Sequence, residues 1–243
     1  RLQPGPYRVV IDASLRPGAL EWGELVVPGA SSEEVLISTH ICHPSLANDN
    51  VSGIVALVEL ARHLLARADL RYTYRLLFLP GTIGSIAWLA QSTTVDRVAH
   101  GLVITGLGDS SPYTYQASRR GDAEIDRVLA AVLASIPGSQ LRPFSPYGYD
   151  ERQFCSPGFD LPVGRLTRGV HGEYPEYHTS ADDLDFIGVE QLDESVALLI
   201  EVVRCLEANR RYVGTSPYGE PQLGRRGLYS STGGAIDQRS IEM

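Results

Sequence analysis

Cysteine is scarce in this chain. Three occur among 243 residues, at Cys42, Cys155 and Cys205. They are odd in number and far apart, which excludes a disulfide framework and a CxxC-type metal site. Such thin cysteine use fits a reducing compartment, so the chain reads as cytoplasmic. Long apolar runs are also missing, and none reaches the ~18 residues that a membrane span needs. The opening RLQPGPYRVV lacks the basic-then-apolar order of a secretory signal. There is no excess of positive charge either. The net charge of −8 gives no reason to expect nucleic acid or an anionic membrane as a partner. No internal repeat is visible. The chain begins at Arg1 rather than Met, and so reads as an excerpt of a longer protein.

What is present is ordinary globular composition and enough length for a sizeable core. Strand signals are predicted at Tyr7–Ser14 and Gly23–Val27, able to pair as an antiparallel hairpin beside a third strand at Val35–Ile41. A polar loop follows. Apolar residues then recur at Ile54, Leu57, Val58, Ala61, Leu64 and Leu65, the spacing of one helix face. Further strands are predicted at Tyr72–Leu79, Gly101–Leu107, Tyr113–Ala117 and Leu161–Leu166. Helices are predicted at Thr82–Gln91, Gly121–Ile136 and Gly188–Ala208. Residues 138–158 and 170–185 read as loops. Alternating strands and helices imply an α/β fold with a mixed, mainly parallel sheet flanked by helices. Residues 1–209 read as one such domain, and 210–243 as a Gly/Arg-rich arm or linker.

Three polar loops after candidate strands hold most of the chemistry. The first, HICHPSLANDN, carries His40, His43 and Asp49 at a strand-to-helix junction. Open α/β sheets bind ligands at that edge, and imidazole and carboxylate are both zinc ligands. The second, SPYGYDERQF, carries Asp150, Glu151 and Arg152. The third, HGEYPEYHTSADD, carries His171, Glu173, Glu176, His178, Asp182 and Asp183. Alone, each loop is equally a solvated polar turn, and Asp49 or Asn50 equally a helix cap. Arg119 and Arg120 read either as a site for a substrate carboxylate or phosphate, or as solvated surface. Tyr147, Tyr149, Tyr174 and Tyr177 either line a pocket or pack these loops. His63 and His100 read as structural, and Cys155 and Cys205 as small core residues.

The order of these pieces resembles the zinc aminopeptidases of the phosphorylase/hydrolase-like fold, the family that includes the bacterial leucyl aminopeptidases. The family's His-x-Asp is met by His40-Ile41-Cys42. Its Asp-Asp/Asn-x-x-Ser-Gly is met by Asp49-Asn50-Val51-Ser52-Gly53. Its Ser-Asp-His-x-x-Phe is met by Tyr149-Asp150-Glu151-Arg152-Gln153-Phe154, and its late His-Thr-x-x-Asp by His178-Thr179-Ser180-Ala181-Asp182. The resemblance covers roughly residues 35–205. It is strongest to a bacterial group of aminopeptidase-like proteins often named for polysaccharide biosynthesis. Those are longer, with a small β-rich insertion before this region and a winged-helix-like C-terminus.

The resemblance implies one or two zinc ions. His40 and Asp150 would hold one, His178 the other, and Asp49 would bridge them. It implies hydrolysis of an N-terminal peptide or related amide bond in a small substrate. Two departures stand out. The family's Glu-Glu pair, base plus ligand, should follow the strand ending at Leu79, but FLPGTIGS has no carboxylate there. Cys42 replaces the Asp that orients the first histidine. Glu173, Glu176 and Glu151, ranked in that order, are the candidate replacements for the base. His43 is a further candidate ligand. Two alternatives stay open: a non-catalytic zinc- or ligand-binding module, and an amide transfer or deacylation in glycan metabolism.

Overall fold

The computed structural model describes residues 3–210, together with 212–215, 218, 219 and 224. The chain divides into two units, Arg1–Ala208 and Asn209–Met243. The arm expected over 210–243 lies almost entirely outside the described residues.

Seven strands form one sheet: β1 (Gly23–Val27), β2 (Glu34–His40), β3 (Thr73–Leu79), β4 (Val98–Ile104), β5 (Thr114–Gln116), β6 (Gln140–Arg142) and β7 (Val163–Thr167). Their order across the sheet is β1-β3-β2-β4-β7-β5-β6. The centre, β3-β2-β4-β7, is parallel throughout. β1 runs antiparallel to β3 at one edge, and β5 runs antiparallel to β7 near the other. Central position explains the composition of β2, in which every residue is buried. A strand covered on both faces has no use for polar alternation. Val35 and Ile37 point into one apolar layer and Leu36 into the other.

The helices are α1 (Gly53–Leu65), α2 (Ile83–Gln91), α3 (Glu124–Leu133), α4 (Glu151–Phe154) and α5 (Val189–Ala208). Helices α1, α3 and α5 cover one face of the sheet, with Leu57, Leu60, Leu129, Leu199 and Val203 in a shared core. Helices α2 and α4 cover the other, where Trp88 and Phe154 meet Leu77, Leu79 and Val163. Each fully buried Leu or Phe contributes ~1.5–3 kcal/mol, so both layers stabilise the sheet on which the polar loops rest.

Three expectations are corrected. No strand forms over Tyr7–Ser14, where Val9, Val10 and Ile11 are at least 75% exposed. β-Branched residues favour a strand when neighbouring strands complete it, and none does so here among the described residues. β1 accordingly pairs with β3, with Gly23 opposite Phe78 and Val27 opposite Tyr74, rather than with that segment or β2. The strand predicted at Gly101–Leu107 begins earlier, at Val98, and ends at Ile104. Beyond it, the backbone N–H groups of Gly106, Leu107 and Gly108 turn away to Asn50, Ser52 and Asn48. Two short elements, β6 and α4, lie in the stretch expected to be loop; Pro and Gly in that stretch mask them.

The parallel strands β2, β3, β4 and β7 end at His40, Leu79, Ile104 and Thr167. Their carboxyl ends share one edge, and the polar loops that leave them converge there.

Candidate metal centre

Strand β2 delivers His40 to that edge. The chain then turns through His43 and reaches Ala47–Ser52, a wide turn that enters α1. Asp49 (φ −109, ψ 77) and Asn50 (φ −148, ψ 33) leave helical space inside it, so α1 starts at Gly53 and the Asp49 side chain is not a simple helix cap. Instead it lies buried, with histidines on both of its oxygens. His40 Nε2 is 2.8 Å from Oδ1. His178 Nε2 is 3.0 Å from Oδ2, and His43 Nδ1 is 3.7 Å from the same oxygen.

A buried polar network sets this turn. Asp182 accepts from the backbone N–H groups of Asn48 at 2.6 Å and Asp49 at 2.9 Å. Asn50 donates to Thr39 Oγ1 and to the His40 carbonyl, and accepts from Gly106 N. Asn48 donates to Asp109 and accepts from Gly108 N. Ser52 donates to the Asn48 carbonyl and accepts from Leu107 N. Every one of these side chains is buried. Satisfied networks of this kind specify a single conformation, because any partial version leaves costly unpaired groups.

Asp150 lies just before α4, fully buried. Ser85 of α2 donates to its Oδ1 at 2.8 Å. Burial pushes its carboxyl up to about 6, against the opposing pull of Ser85, His40 and Arg152. Burial also raises the Asp49 carboxyl, but the His40 hydrogen bond and the charges of His40, His43 and His178 outweigh it, and the net shift is downward. His43 is lowered, chiefly by burial, which favours the neutral imidazole that a metal requires.

Aromatic rings close the site. Tyr149 stacks on His40 with centroids 4.7 Å apart, and Tyr177 stacks on His178 at 4.0 Å. His171 packs edge-on to Tyr149 at 4.9 Å. Burial, with Arg165 second, lowers it to about 4. His178 itself has φ +55, a left-handed conformation that costs a side-chain residue ~1–2 kcal/mol. Such strain persists where the surroundings over-determine it, and it gathers at functional sites.

The residues fit a metal. Asp49 Oδ2, Asp150 Oδ2, His40 Nδ1 and His43 Nδ1 are buried without a hydrogen-bond partner among the described residues. Buried orphaned polar atoms call for an explanation, and at Asp49 Oδ2 and His43 Nδ1, 3.7 Å apart, a shared cation supplies one. Ligand atoms ~2.0–2.2 Å from a tetrahedral zinc lie about 3.4 Å apart, and the observed 2.8, 3.0 and 3.7 Å bracket that value. Ligand atoms of His40, His43 and Asp49 all lie within 4.8 Å of one another.

This arrangement has relatives. Residues 9–209 match the family described as Domain of unknown function (DUF4910), and residues 210–243 match a winged helix-turn-helix family. The chain belongs to the DUF4910 family. A Clostridium acetobutylicum protein, named for polysaccharide biosynthesis and an aminopeptidase-like domain, is 44% identical over 95% of this chain. The chain spans about half the length of that relative, 53%. A crystal structure from C. acetobutylicum, named as a peptidase, matches with a TM-score of 0.79 at 41% identity, over 85% of this chain and 49% of that one. A zinc aminopeptidase of Bacillus subtilis shares the fold, with a TM-score of 0.61 at 18% identity over 76% of this chain and 49% of its own. The DUF4910 domain is thus aminopeptidase-like in architecture. Among the described residues, no helix is long and apolar enough to cross a membrane.

The carboxylates ranked as bases fare differently from the metal-binding candidates. Glu173 does not join the cluster. It is 55% exposed and held by both guanidinium nitrogens of Arg142, at 2.6 and 2.9 Å, which lowers its carboxyl. Proximity in sequence to His178 was misleading, because β6 supplies a cation nearby. Glu151 is fully buried and turned to Arg165 at 3.0 Å and to the Tyr149 N–H. Glu176 is half-buried, with no cation partner among the described residues. Arg119 and Arg120 both engage Asp160 at the surface. Sequence reasoning missed Asn48, Ser85 and Asp109 as supports. Each is an ordinary polar residue in sequence, and only the fold brings it under the site.

Proposed function

We propose that this domain is a zinc-dependent, aminopeptidase-like metallohydrolase of the cytoplasm, cleaving an N-terminal peptide or related amide bond in a small substrate. The observation that carries this is Asp49, a buried carboxylate with imidazoles on each of its two oxygens, at the carboxyl edge of a parallel sheet. The names of the C. acetobutylicum relative and the B. subtilis neighbour support it.

His40, Asp49, Asp150 and His178 would hold one or two zinc ions. Bound zinc supplies Lewis acidity, polarising a carbonyl or lowering the pKa of a water. Asp49 presents an oxygen to each side. Ser85 aims Asp150, and Asp182 locks the backbone that carries Asp49. Stacking by Tyr149 and Tyr177 holds the imidazole planes of His40 and His178. With Glu151 and Glu173 engaged by arginines, we assign the proton transfer from water to leaving amine to Glu176.

Two other readings each have one observation. A non-catalytic zinc-binding module agrees with the stretch FLPGTIGS, which has no carboxylate where the resembled family carries its Glu pair. An amide transfer or deacylation in glycan metabolism agrees with the relative named for polysaccharide biosynthesis. The test is reconstitution of purified protein with zinc, elemental analysis, and a panel of aminoacyl anilides beside N-acylated amino sugars. Zinc content and chelator-sensitive hydrolysis of the anilides are expected. Absence of any transition metal after reconstitution at neutral pH refutes the proposal. Glu176→Gln should keep zinc and lose ~100- to 10,000-fold in rate, the usual cost of losing a general base, while Glu173→Gln stays near wild type. Full activity in Glu176→Gln refutes the base assignment alone.

A further inference from the structure

We infer that Arg152 binds a carboxylate of the substrate, so that the molecule cleaved is an acid: a short peptide or amide with a free carboxylate close to the scissile bond. The inference rests on the hydrolase reading above and names the substrate class of that site.

Arg152 stands beside the metal-binding candidates. Helix α4 leads away from Asp150, and Arg152 is its second residue. Two peptide steps separate the residues, so their Cα atoms are no more than ~7.6 Å apart. An arginine side chain spans that distance easily. The charge of Arg152 is also felt at the buried Asp150 carboxyl, which it lowers.

The carboxylates around Arg152 are engaged elsewhere. Glu151 turns to Arg165 at 3.0 Å, and Glu173 to Arg142 at 2.6 Å. Asp150 Oδ1 accepts from Ser85. The buried arginines Arg75, Arg165 and Arg168 each hold a glutamate. Arg152 is half-buried, yet it has no hydrogen bond and no ion pair among the described residues. Its Nε is fully enclosed without an acceptor. A guanidinium keeps its proton at any ordinary pH, so it cannot relieve burial by becoming neutral. Buried charge is offset by pairing, and here the chain offers no partner.

The partner that fits is a carboxylate. A guanidinium presents parallel N–H groups that match the two oxygens of one carboxylate. A phosphate monoester carries ~1.5–2 negative charges and calls for more than one cation, but Arg142 and Arg165 are already committed. One free guanidinium answers one carboxylate. A bound zinc would add positive charge beside it and strengthen the attraction.

The experiment measures calorimetric affinity of the zinc-loaded full chain for reduced-amide dipeptides, in which CH2–NH replaces the scissile amide. Two matched pairs are the probes. Leucyl-glycine against leucyl-glycinamide places the carboxylate beyond the scissile bond. Glutamyl-glycinamide against glutaminyl-glycinamide places it on the N-terminal residue. In one pair the acid should bind ~10- to 100-fold tighter than its amide, the value of hydrogen bonds to a charged group. That pair locates the carboxylate. Arg152→Gln should remove the preference, and Arg152→Lys, which keeps charge without the fork, should keep part of it. Arg119→Gln, at the surface with Asp160, should keep all of it. Zinc content and a melting curve verify each variant. Acids and amides bound alike by wild type would overturn the inference, whatever the variants do. A full preference in Arg152→Gln would overturn it too. In both cases, hydrolysis of ordinary peptides would leave the proposed function standing. A preference that depends on Arg152 in a chain that takes up no zinc would overturn that function and leave the carboxylate site.

Discussion

Replacing Asp150 by Asn should stabilise the metal-free protein. The carboxyl is 0% exposed, Ser85 bonds its Oδ1, and its Oδ2 has no partner among the described residues. Burial pushes its pKa up to about 6, against ~3.9 for an unfolded aspartate. The folded state therefore holds this proton more tightly than the unfolded state. Below pH ~4 both states are protonated and the site costs nothing extra. As the pH rises to about 6, stability falls. Above that, both states are ionised and the folded form carries the whole penalty. Two pKa units at ~1.4 kcal/mol each give about 3 kcal/mol. An asparagine carries no charge and its Oδ1 still accepts from Ser85. Asp150→Asn should thus gain about 2–3 kcal/mol at pH 8 in the presence of EDTA, or ~6–10 °C in Tm for a domain of this size. The gain should vanish near pH 4. Added zinc should reverse the order, because only wild type keeps this ligand. Urea unfolding and calorimetry at both pH values measure all of this. An EDTA-treated variant less stable than wild type at pH 8 would refute the argument, since the carboxylate would then be favourably held without metal.

Asp182→Asn keeps one good acceptor where two backbone N–H groups now bond. It should cost ~1.5–3 kcal/mol, the value of one hydrogen bond to a charged group, and weaken zinc binding; denaturant curves and a zinc titration read the two effects. Arg165→Ala leaves Glu151 buried beside no cation, and should cost ~3–5 kcal/mol in urea unfolding. EDTA should lower the Tm of the zinc-loaded protein without unfolding it at room temperature, because zinc at 100 times its Kd adds ~2.7 kcal/mol to a core that stands by itself. Loss of the far-ultraviolet dichroism on chelation would show that core to be metal-dependent.

Much of the molecule was legible in the chain itself. The Val35-Leu36-Ile37 run of β2 announces a buried strand, and the 3.6-residue spacing after Val51 announces α1, because periodicity is local; which face is buried is not, and Val58 and Leu65 of the expected face are exposed while Leu60 is buried. The meeting of His40 and Asp49 was legible because both stand at one strand-to-helix junction, a local pattern. Tyr7–Ser14 was misread because a strand exists only with a partner, which local preference does not supply. Glu173 was ranked first as base because it is near His178 in sequence, yet Arg142, 31 residues earlier, reaches it across β6.

Pairing of distant groups belonged to the tertiary structure alone. It set Asp182 under the Asn48–Asp49 backbone, 134 and 133 residues away in sequence. It buried Asp150 against Ser85, and it set Gly81 close behind His40. The sequence by itself determined which side chains stand at the strand ends, because that depends on neighbours along the chain. Which oxygen of Asp49 each histidine meets, and which glutamates are already taken by arginines, depends on neighbours in space, and only the packed fold decides that.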